Sequence, residues 1–485
     1  MRNMIRNYEQ LISHGELAAR KVVLDCLNRA LEAADTYAGT RRVVRLEKDR
    51  LYVGHKTFHL GRIKNIYVVG AGKGSFPIAR ALDEILEERI TAGIVLVKKS
   101  GSEKLRYVKV LESGHPVPNE ASLAGGLEIQ RIASLAQKGD LVFVCMTGGC
   151  SALMVLPVEG INLEDKIRVN KLLLKTGAPV GEMNAVRKHL SKVKGGGLMR
   201  MLHPATIITL TQDTAPEFLP WPDPCLPDPS TFSDAIKVLK DYEIWDQTPE
   251  RVKSHLFRGL SDRNLETIKS LEGIENYIFD TANPRDACLA AVNYARTLGY
   301  NAQVLSTKIE GESKHVGTVL AGIAKEIQLY GRPFEPPCLL ASGGETTVSI
   351  EGPAGEGGPN QELVLGFARA IATYKGVSLV SIDSEGTDGP TQVAGGIADG
   401  QTVERAKALN IDLFDVLKRH DSSTAFGALG DQVITGETGT NVINLRMMFI
   451  GSTAKISNFS VSSVVRLWRG NEKSRDPEGR GEGNY

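Results

Sequence analysis

IYVVGAGKGSFPIARALDEILEERI (66–90), followed by AGIVLV (92–97), decides the fold. An apolar run ends in the turn Gly70-Ala71-Gly72-Lys73-Gly74. Apolar residues at helix spacing come next, and then a second apolar run. This is strand, glycine turn, helix, strand, the βαβ unit of a parallel sheet. Outward from it the pattern repeats. LVFVCM (141–146) reads as a buried strand ending at Gly148-Gly149, 164–201 as a helical zone, and TIITLT (206–211) as the next strand. Upstream, Leu11, Ala18, Val22, Val23, Leu27 and Leu31 recur at helix spacing. Six prolines in the fifteen residues 215–229 mark an irregular loop, and 232–275 reads as helical and charged. The alternation then restarts with a helix (287–299), NAQVLST (301–307), a helix (315–331), PCLLAS (337–342), a glycine loop and helix (352–375), and VSLVSID (377–383). The sequence predicts an α/β protein of two domains, each a mostly parallel, Rossmann-like sheet flanked by helices, with the active site in the cleft between them. The boundary falls near 255–280, giving domains 1–265 and 266–457. The polar, unpatterned tail 458–485 reads as disordered.

A chain of 485 residues is too long for one ordinary core, in keeping with two domains. Lys plus Arg is 58 and Asp plus Glu is 57, a net charge of +1 that gives no footprint for nucleic acid or an acidic membrane. The N-terminal residues 1–10 are polar, without the apolar core of a signal peptide. The apolar stretch 141–157 is broken by Thr147-Gly148-Gly149 and is no membrane span. None of the six cysteines forms a C-x-x-C pair or lies near enough to a histidine for zinc. A reducing cytoplasm is the expected location.

In open α/β sheets ligands collect at the carboxyl ends of the strands, where these glycine loops fall. In 70–74 the glycines Gly70 and Gly72 would let amides approach an anion at a helix start, with Lys73 adding charge. The spacing is neither a Walker A loop nor a full G-x-G-x-x-G. A plain turn with a solvated lysine would look similar. Thr147-Gly148-Gly149-Cys150-Ser151 offers amides and two hydroxyls, an anion nest. A catalytic Cys150 would need a base, and no His or Asp stands near it in sequence. In 184–197, Arg187 lies three residues from Asn184 on one helix face and could fork onto a substrate carboxylate. Lys188, Lys192 and Lys194 read as solvated. Asp213, after TIITLT, could bind magnesium, accept a hydroxyl proton, or simply cap a turn. The second half adds Ser342-Gly343-Gly344-Glu345, Gly357-Gly358-Pro359-Asn360-Gln361-Glu362 and Glu385-Gly386-Thr387-Asp388. Acids and amides beside glycine turns suit a magnesium–phosphate substrate.

Together these segments resemble the glycerate 2-kinase family, whose C-terminal half is the MOFRL domain. The resemblance runs from about residue 8 to 450. Its most specific segments are ESGHPVPNE (112–120), MNAVRKHLSKVKGG (183–196), SGGETTV (342–348), GGPNQEL (357–363), DGPTQVAGG (388–396) and TGETGTNVINL (435–445). It implies an ATP- and magnesium-dependent kinase phosphorylating a small hydroxy-acid, D-glycerate above all. Lys73, Asp213 and Arg187 would be catalytic, and Gly70, Gly72, Gly148, Gly149, Ser151, Gly343, Gly344, Asn360 and Gln361 would bind the nucleotide. Arg187, Asn184 and His115 would bind the substrate, and Asp213, Glu345 and Asp388 the metal. A homodimer is compatible with it. Two departures stand out. Pro359 replaces the family's Arg, and Gln212-Asp213-Thr214-Ala215-Pro216-Glu217-Phe218 replaces Ser-Asp-Val-Pro-Gly-Asp-Asp, keeping only the Asp. They leave another short sugar acid open as the substrate, and a binding protein without turnover as a further alternative. A nicotinamide-dependent hydroxypyruvate or hydroxy-acid reductase is the other rival, although Lys98-Lys99 close the second strand where NAD would want an acid.

Overall fold

The structure, a computed structural model, describes residues 3–98, 104–212 and 223–452. Asp213 and the expected disordered tail 458–485 lie outside the described residues. Strands β1 (Val44–Glu47), β2 (Arg50–Val53) and β3 (Lys56–His59) form a small antiparallel sheet. Four-residue, half-exposed strands leave too short a pattern to be read from sequence.

The first large sheet holds β4 (Ile66–Ala71), β5 (Ile90–Val97), β6 (Lys109–Glu112), β7 (Leu141–Met146), β8 (Thr206–Gln212) and β9 (Asn276–Ala282). Their order is β6-β5-β4-β7-β8-β9, all parallel. Every residue of β4 and β7 is buried, as expected of central strands covered on both faces. Alternate side chains feed opposite cores. Tyr67, Val69, Val142 and Val144 pack on one face, and Val68, Phe143 and Cys145 on the other. The strand order reverses between β4 and β7, so the turns 70–74 and 147–151 emerge side by side at the switch point.

The second large sheet holds β10 (Asn301–Ser306), β12 (Cys338–Gly344), β14 (Val377–Asp383), β15 (Gly395–Asp399), β16 (Gln432–Val433) and β17 (Asn444–Ile450), in the order β10-β12-β17-β14-β15-β16. The short β11 (Gly311–Glu312) and β13 (Thr346–Thr347) pair beside it. Only β10 and β12 run parallel; the other four pairings are antiparallel. The sheet is therefore mixed and not mostly parallel as expected. A strand buried on both faces is a continuous apolar run whichever way it points, so its direction is not written in its pattern.

Two placements depart from the division at 265/266. β9 closes the first sheet, carrying it to residue 282. The helix Leu17–Ala33 covers a face of the second sheet, its Val23, Leu27 and Leu31 sharing a core with Leu339, Ala341 and Met447. Arg20 on that helix is wholly buried and bonds Asp399 Oδ2 and Asp431 Oδ1. Among the described residues no helix is long and apolar enough to cross a membrane.

Candidate active site between the two sheets

The turn after β4 is knitted to the turn after β7. Lys73 N donates to Gly148 O at 2.8 Å, Gly74 N to Thr147 Oγ1 at 2.9 Å, and Gly72 N to Leu96 O at 3.0 Å. A Cβ on Gly70 would lie 2.3 Å from Cys145 O, and one on Gly72 would lie 2.5 Å from Thr147 O. Gly70 and Gly72 thus serve close packing, and the amides of this turn are spent inside the protein rather than offered to a nucleotide. The second turn is different. The amides of Gly148 and Gly149 donate to no described residue. Gly149 (φ +88°) lies against the rings and stems of its neighbours, its Cβ position 3.2 Å from the His115 ring and 3.3 Å from Lys73 Cγ. Lys73, His115, Gly148 and Gly149 therefore share one spot, with Ser151 exposed two residues on.

Across from it stands the loop after β14. Lys73 Nζ sits 2.9 and 3.1 Å from the carboxylate oxygens of Glu385. Asn441 Nδ2 and Thr387 Oγ1 donate to the same carboxylate at 3.0 and 3.2 Å. A crevice of about 100 Å³ runs between Lys73 and Lys98 on one wall and Glu385, Thr387, Glu437 and Thr440 on the other. Burial and the like charges of Lys73 and Lys98 lower the His115 pKa, so its ring stays neutral more readily than a free imidazole. On the acidic wall, burial and then the charge of Glu385 push Asp383 up to about 7. Glu345 is also raised, by burial of its carboxyl and then by Glu310 and Glu385.

The remaining second-domain residues do structural work. Asp388 accepts from Asn360 N and Nδ2 and from Gln361 N and Nε2, at 2.9–3.2 Å, and all three residues are buried. This clamp fixes the start of the helix Pro359–Ala370. Asp388 was expected as a metal ligand and Asn360 and Gln361 as nucleotide contacts; here Asp388 accepts these four bonds, Asn360 also bonds Asn444 and Ser381, and Gln361 Oε1 is buried without a partner among the described residues. Gly343 and Gly344 face inward as well. Arg446 Nη1 donates to Gly343 O at 3.1 Å, and a Cβ on Gly344 would lie 2.2 Å from Ile309 N. Burial lowers the Arg446 pKa to about 10. Among the described residues no three His, Cys, Asp or Glu side chains gather as a metal cage.

Asn184 and Arg187 sit on the helix Val180–His189, 3.5 Å apart. Lys192 is exposed as expected, but Lys188 and Lys194 are not solvated. Both are buried; Lys188 pairs with Asp228 at 3.1 Å, and Lys194 lies 3.6 Å from Asp223 and bonds Ser151 Oγ. Cys150 is buried beside them, and burial pushes its thiol up to about 11. A protonated, inaccessible thiol is no nucleophile. Cys150→Ala is accordingly expected to keep wild-type kcat, and thiol alkylation to leave activity intact; loss of turnover in both would reinstate the cysteine.

A domain of unknown function, DUF4147, matches residues 22–257, and the MOFRL family matches 338–444. The chain is 40% identical to the glycerate 2-kinase of Pyrococcus horikoshii over 89% of its own length and 98% of the relative's. The chain belongs to the glycerate 2-kinase family. A Thermotoga maritima glycerate kinase crystal structure superposes with a TM-score of 0.78 at 33% identity, covering 89% of this chain and 99% of that one. An Agrobacterium vitis relative, 36% identical over 79% of this chain and 99% of its own, is named provisionally as a hydroxypyruvate reductase. Sequence reading of this family member gave no role to Glu385 of the crevice or to the buried Arg446. Glu385 stood in a quoted loop without a role, and nothing local marks it as Lys73's partner. Arg446 did leave a signal, a lone charge inside the apolar strand NLRMMFI (444–450).

Proposed function

We propose that the protein transfers the γ-phosphoryl group of ATP to the 2-hydroxyl of D-glycerate, releasing ADP and 2-phosphoglycerate. The observation that carries this reading is Lys73, held beside the amides of Gly148 and Gly149, which donate to no described residue, and facing the second domain across the crevice. In the transfer, the hydroxyl oxygen bonds to the γ-phosphorus as the bond from that phosphorus to the β,γ-bridging oxygen breaks. The ammonium of Lys73 and the two amides stabilise charge on the moving group. The hydroxyl proton passes to a carboxylate, for which Asp213 is the candidate. Arg187 is the candidate to hold the substrate carboxylate, and His115 lines the spot beside Lys73 and Gly149. Magnesium in such reactions keeps water and phosphate ligands and takes only one or two carboxylates from the protein. Glu345 suits that demand, since its neighbours Glu310 and Glu385 leave it short of positive charge. When bound, the ion would neutralise phosphate charge. A cytoplasmic location agrees with six free, buried cysteines.

The name of the Agrobacterium relative favours a reductase as the second reading. Two features weigh against it. β5 is followed by Lys98, leaving no acid for a ribose, and the amides of Lys73 and Gly74 already bond Gly148 and Thr147. The test is ADP release with a panel of short hydroxy-acids, beside nicotinamide oxidation with hydroxypyruvate. D-Glycerate is expected to give ADP, chelation to stop it, and magnesium or manganese to restore it. No ADP with D-glycerate, together with nicotinamide turnover, would overturn the kinase reading.

A further inference from the structure

Gln212 ends β8, and its side chain is wholly buried between the two halves of the molecule, with Thr36 and Thr440 buried around it. Its Nε2 donates to Thr440 Oγ1 at 3.2 Å and to Thr36 Oγ1, and those two hydroxyl oxygens lie 3.3 Å apart. On its other side the amide packs under the first glycine turn, where a Cβ on Gly74 would lie 3.0 Å from Gln212 Cδ and closer still to Oε1. These neighbours lead to both walls of the crevice. Gly74 directly follows Lys73. Thr440 stands on the opposite wall, and the next residue, Asn441, donates to the Glu385 carboxylate at 3.0 Å. Thr36 opens the helix Thr36–Val43, whose Gly39 packs on Thr281 at the end of β9. Ala34 caps the helix Leu17–Ala33 on the second sheet and accepts from Thr440 Oγ1 at 2.6 Å. Residues 34–36 thus join the two sheets, and Gln212 reaches this joint and both crevice walls from a single strand end.

A tie between two walls fixes the distance between them. The crevice holds about 100 Å³, against about 300–1,000 Å³ for an ordinary ligand pocket, so a small change of spacing decides what enters. The contacts need the full length of the glutamine. A serine, which stands here in the family motif, ends two bonds nearer the backbone and could not make them. We propose that Gln212 is a positioning residue that sets the spacing of the crevice walls, and that through it the enzyme favours a three-carbon acid over longer sugar acids. The inference rests on the reading of the protein as a hydroxy-acid kinase. Gln212 is wholly buried and acts through others, on one side through Gly74 and Lys73, on the other through Thr440, Asn441 and Glu385. Without the tie, Thr440 keeps its bond to Ala34 O and Lys73 N its bond to Gly148 O. Each wall keeps its own shape while the gap between them is freed.

The experiment compares wild type, Gln212→Met, Thr440→Val and the double variant on D-glycerate, D-erythronate and D-gluconate, acids of three, four and six carbons. Each acid is measured by kcat/KM for ADP release and by calorimetric Kd. The readout is the ratio between two acids on one sample, in which any loss of folded protein cancels, so a purely structural role would not move it. Gln212→Met keeps the bulk under Gly74 and removes the donor. It is expected to lower the preference for D-glycerate over the longer acids about 10-fold, the worth of one buried hydrogen bond. Thr440→Val should shift the ratio in the same direction, and Gln212→Met should add nothing in a chain that already carries it, because both changes break one contact. An unchanged ratio in Gln212→Met, or shifts that add in the double variant, would overturn the proposal. So would a wild type that binds D-glycerate and D-gluconate equally well. If the Kd ratio shifts as expected while no acid yields ADP, the kinase reading fails and the tie stands. If the wild type binds none of the three acids, both fail.

Discussion

Replacing Lys73 by methionine is expected to lower kcat about 10²–10³-fold, the usual cost of removing one preorganised charge from a transferring group. The thermal midpoint should hardly move. Lys73 and Glu385 are 29% and 23% exposed, and a pair that wet contributes at most about 1 kcal/mol. The backbone bonds that build the turn, Lys73 N to Gly148 O and Gly74 N to Thr147 Oγ1, do not involve the side chain and survive the change. Glu385 competes with phosphate for the same ammonium, which gives Glu385→Gln a different signature. It frees Lys73 while keeping the partners Asn441 and Thr387 within reach. Steady-state ADP release with circular dichroism on the same samples makes the check. Near-normal turnover in Lys73→Met would remove the residue from the mechanism.

The largest loss of stability should come from Arg20→Met, far from the chemistry. Removing one partner of a buried ion pair costs about 3–5 kcal/mol, because the other charge stays buried and unanswered. Here Asp399 and Asp431 are both left behind, each with a side chain that is 0% exposed. Asp431 would keep Arg405 at 2.6 Å and His14 at 2.8 Å, so Asp399 is the more exposed to the loss. The break also frees the helix Leu17–Ala33 from the second sheet, where its apolar face closes a core. Although burial alone would raise it, His14, Arg20 and Arg405 hold the Asp431 carboxyl below the ordinary aspartate range. A depressed carboxyl stabilises the fold above its unfolded pKa of about 4 and loses that contribution as pH falls below it. The acid limb of unfolding should therefore move to higher pH in Arg20→Met. Urea titrations at neutral and acid pH test both parts, and an unchanged midpoint at neutral pH would show that the network is not what holds the helix.

The sequence by itself determined the βαβ start, the two-sheet α/β class and the places where chemistry could gather. These are local properties, since a strand buried on both faces and a glycine turn before a helix each carry their pattern in a few consecutive residues. Lys73 and Gly148-Gly149 were legible for that reason and His115 through the family resemblance, and the tertiary structure brings them to one spot. Other features depend on residues distant in the chain. The glycines at 70 and 72 pack against Cys145 and Thr147, the amides of Asn360 and Gln361 close on Asp388, and Arg446 sits under the carbonyls of Gly343 and Gly344. The glycines and the amide residues were read as ligand contacts because a polar or glycine-rich turn looks the same whether it faces a phosphate or another turn, and Arg446 was not read at all. The mixed direction of the second sheet and the helix Leu17–Ala33 lying on it were likewise decided only in three dimensions. The physical reason is common to all of them. Strand direction, helix docking and charge balance are set by long-range contacts, and no single window of the chain contains both partners.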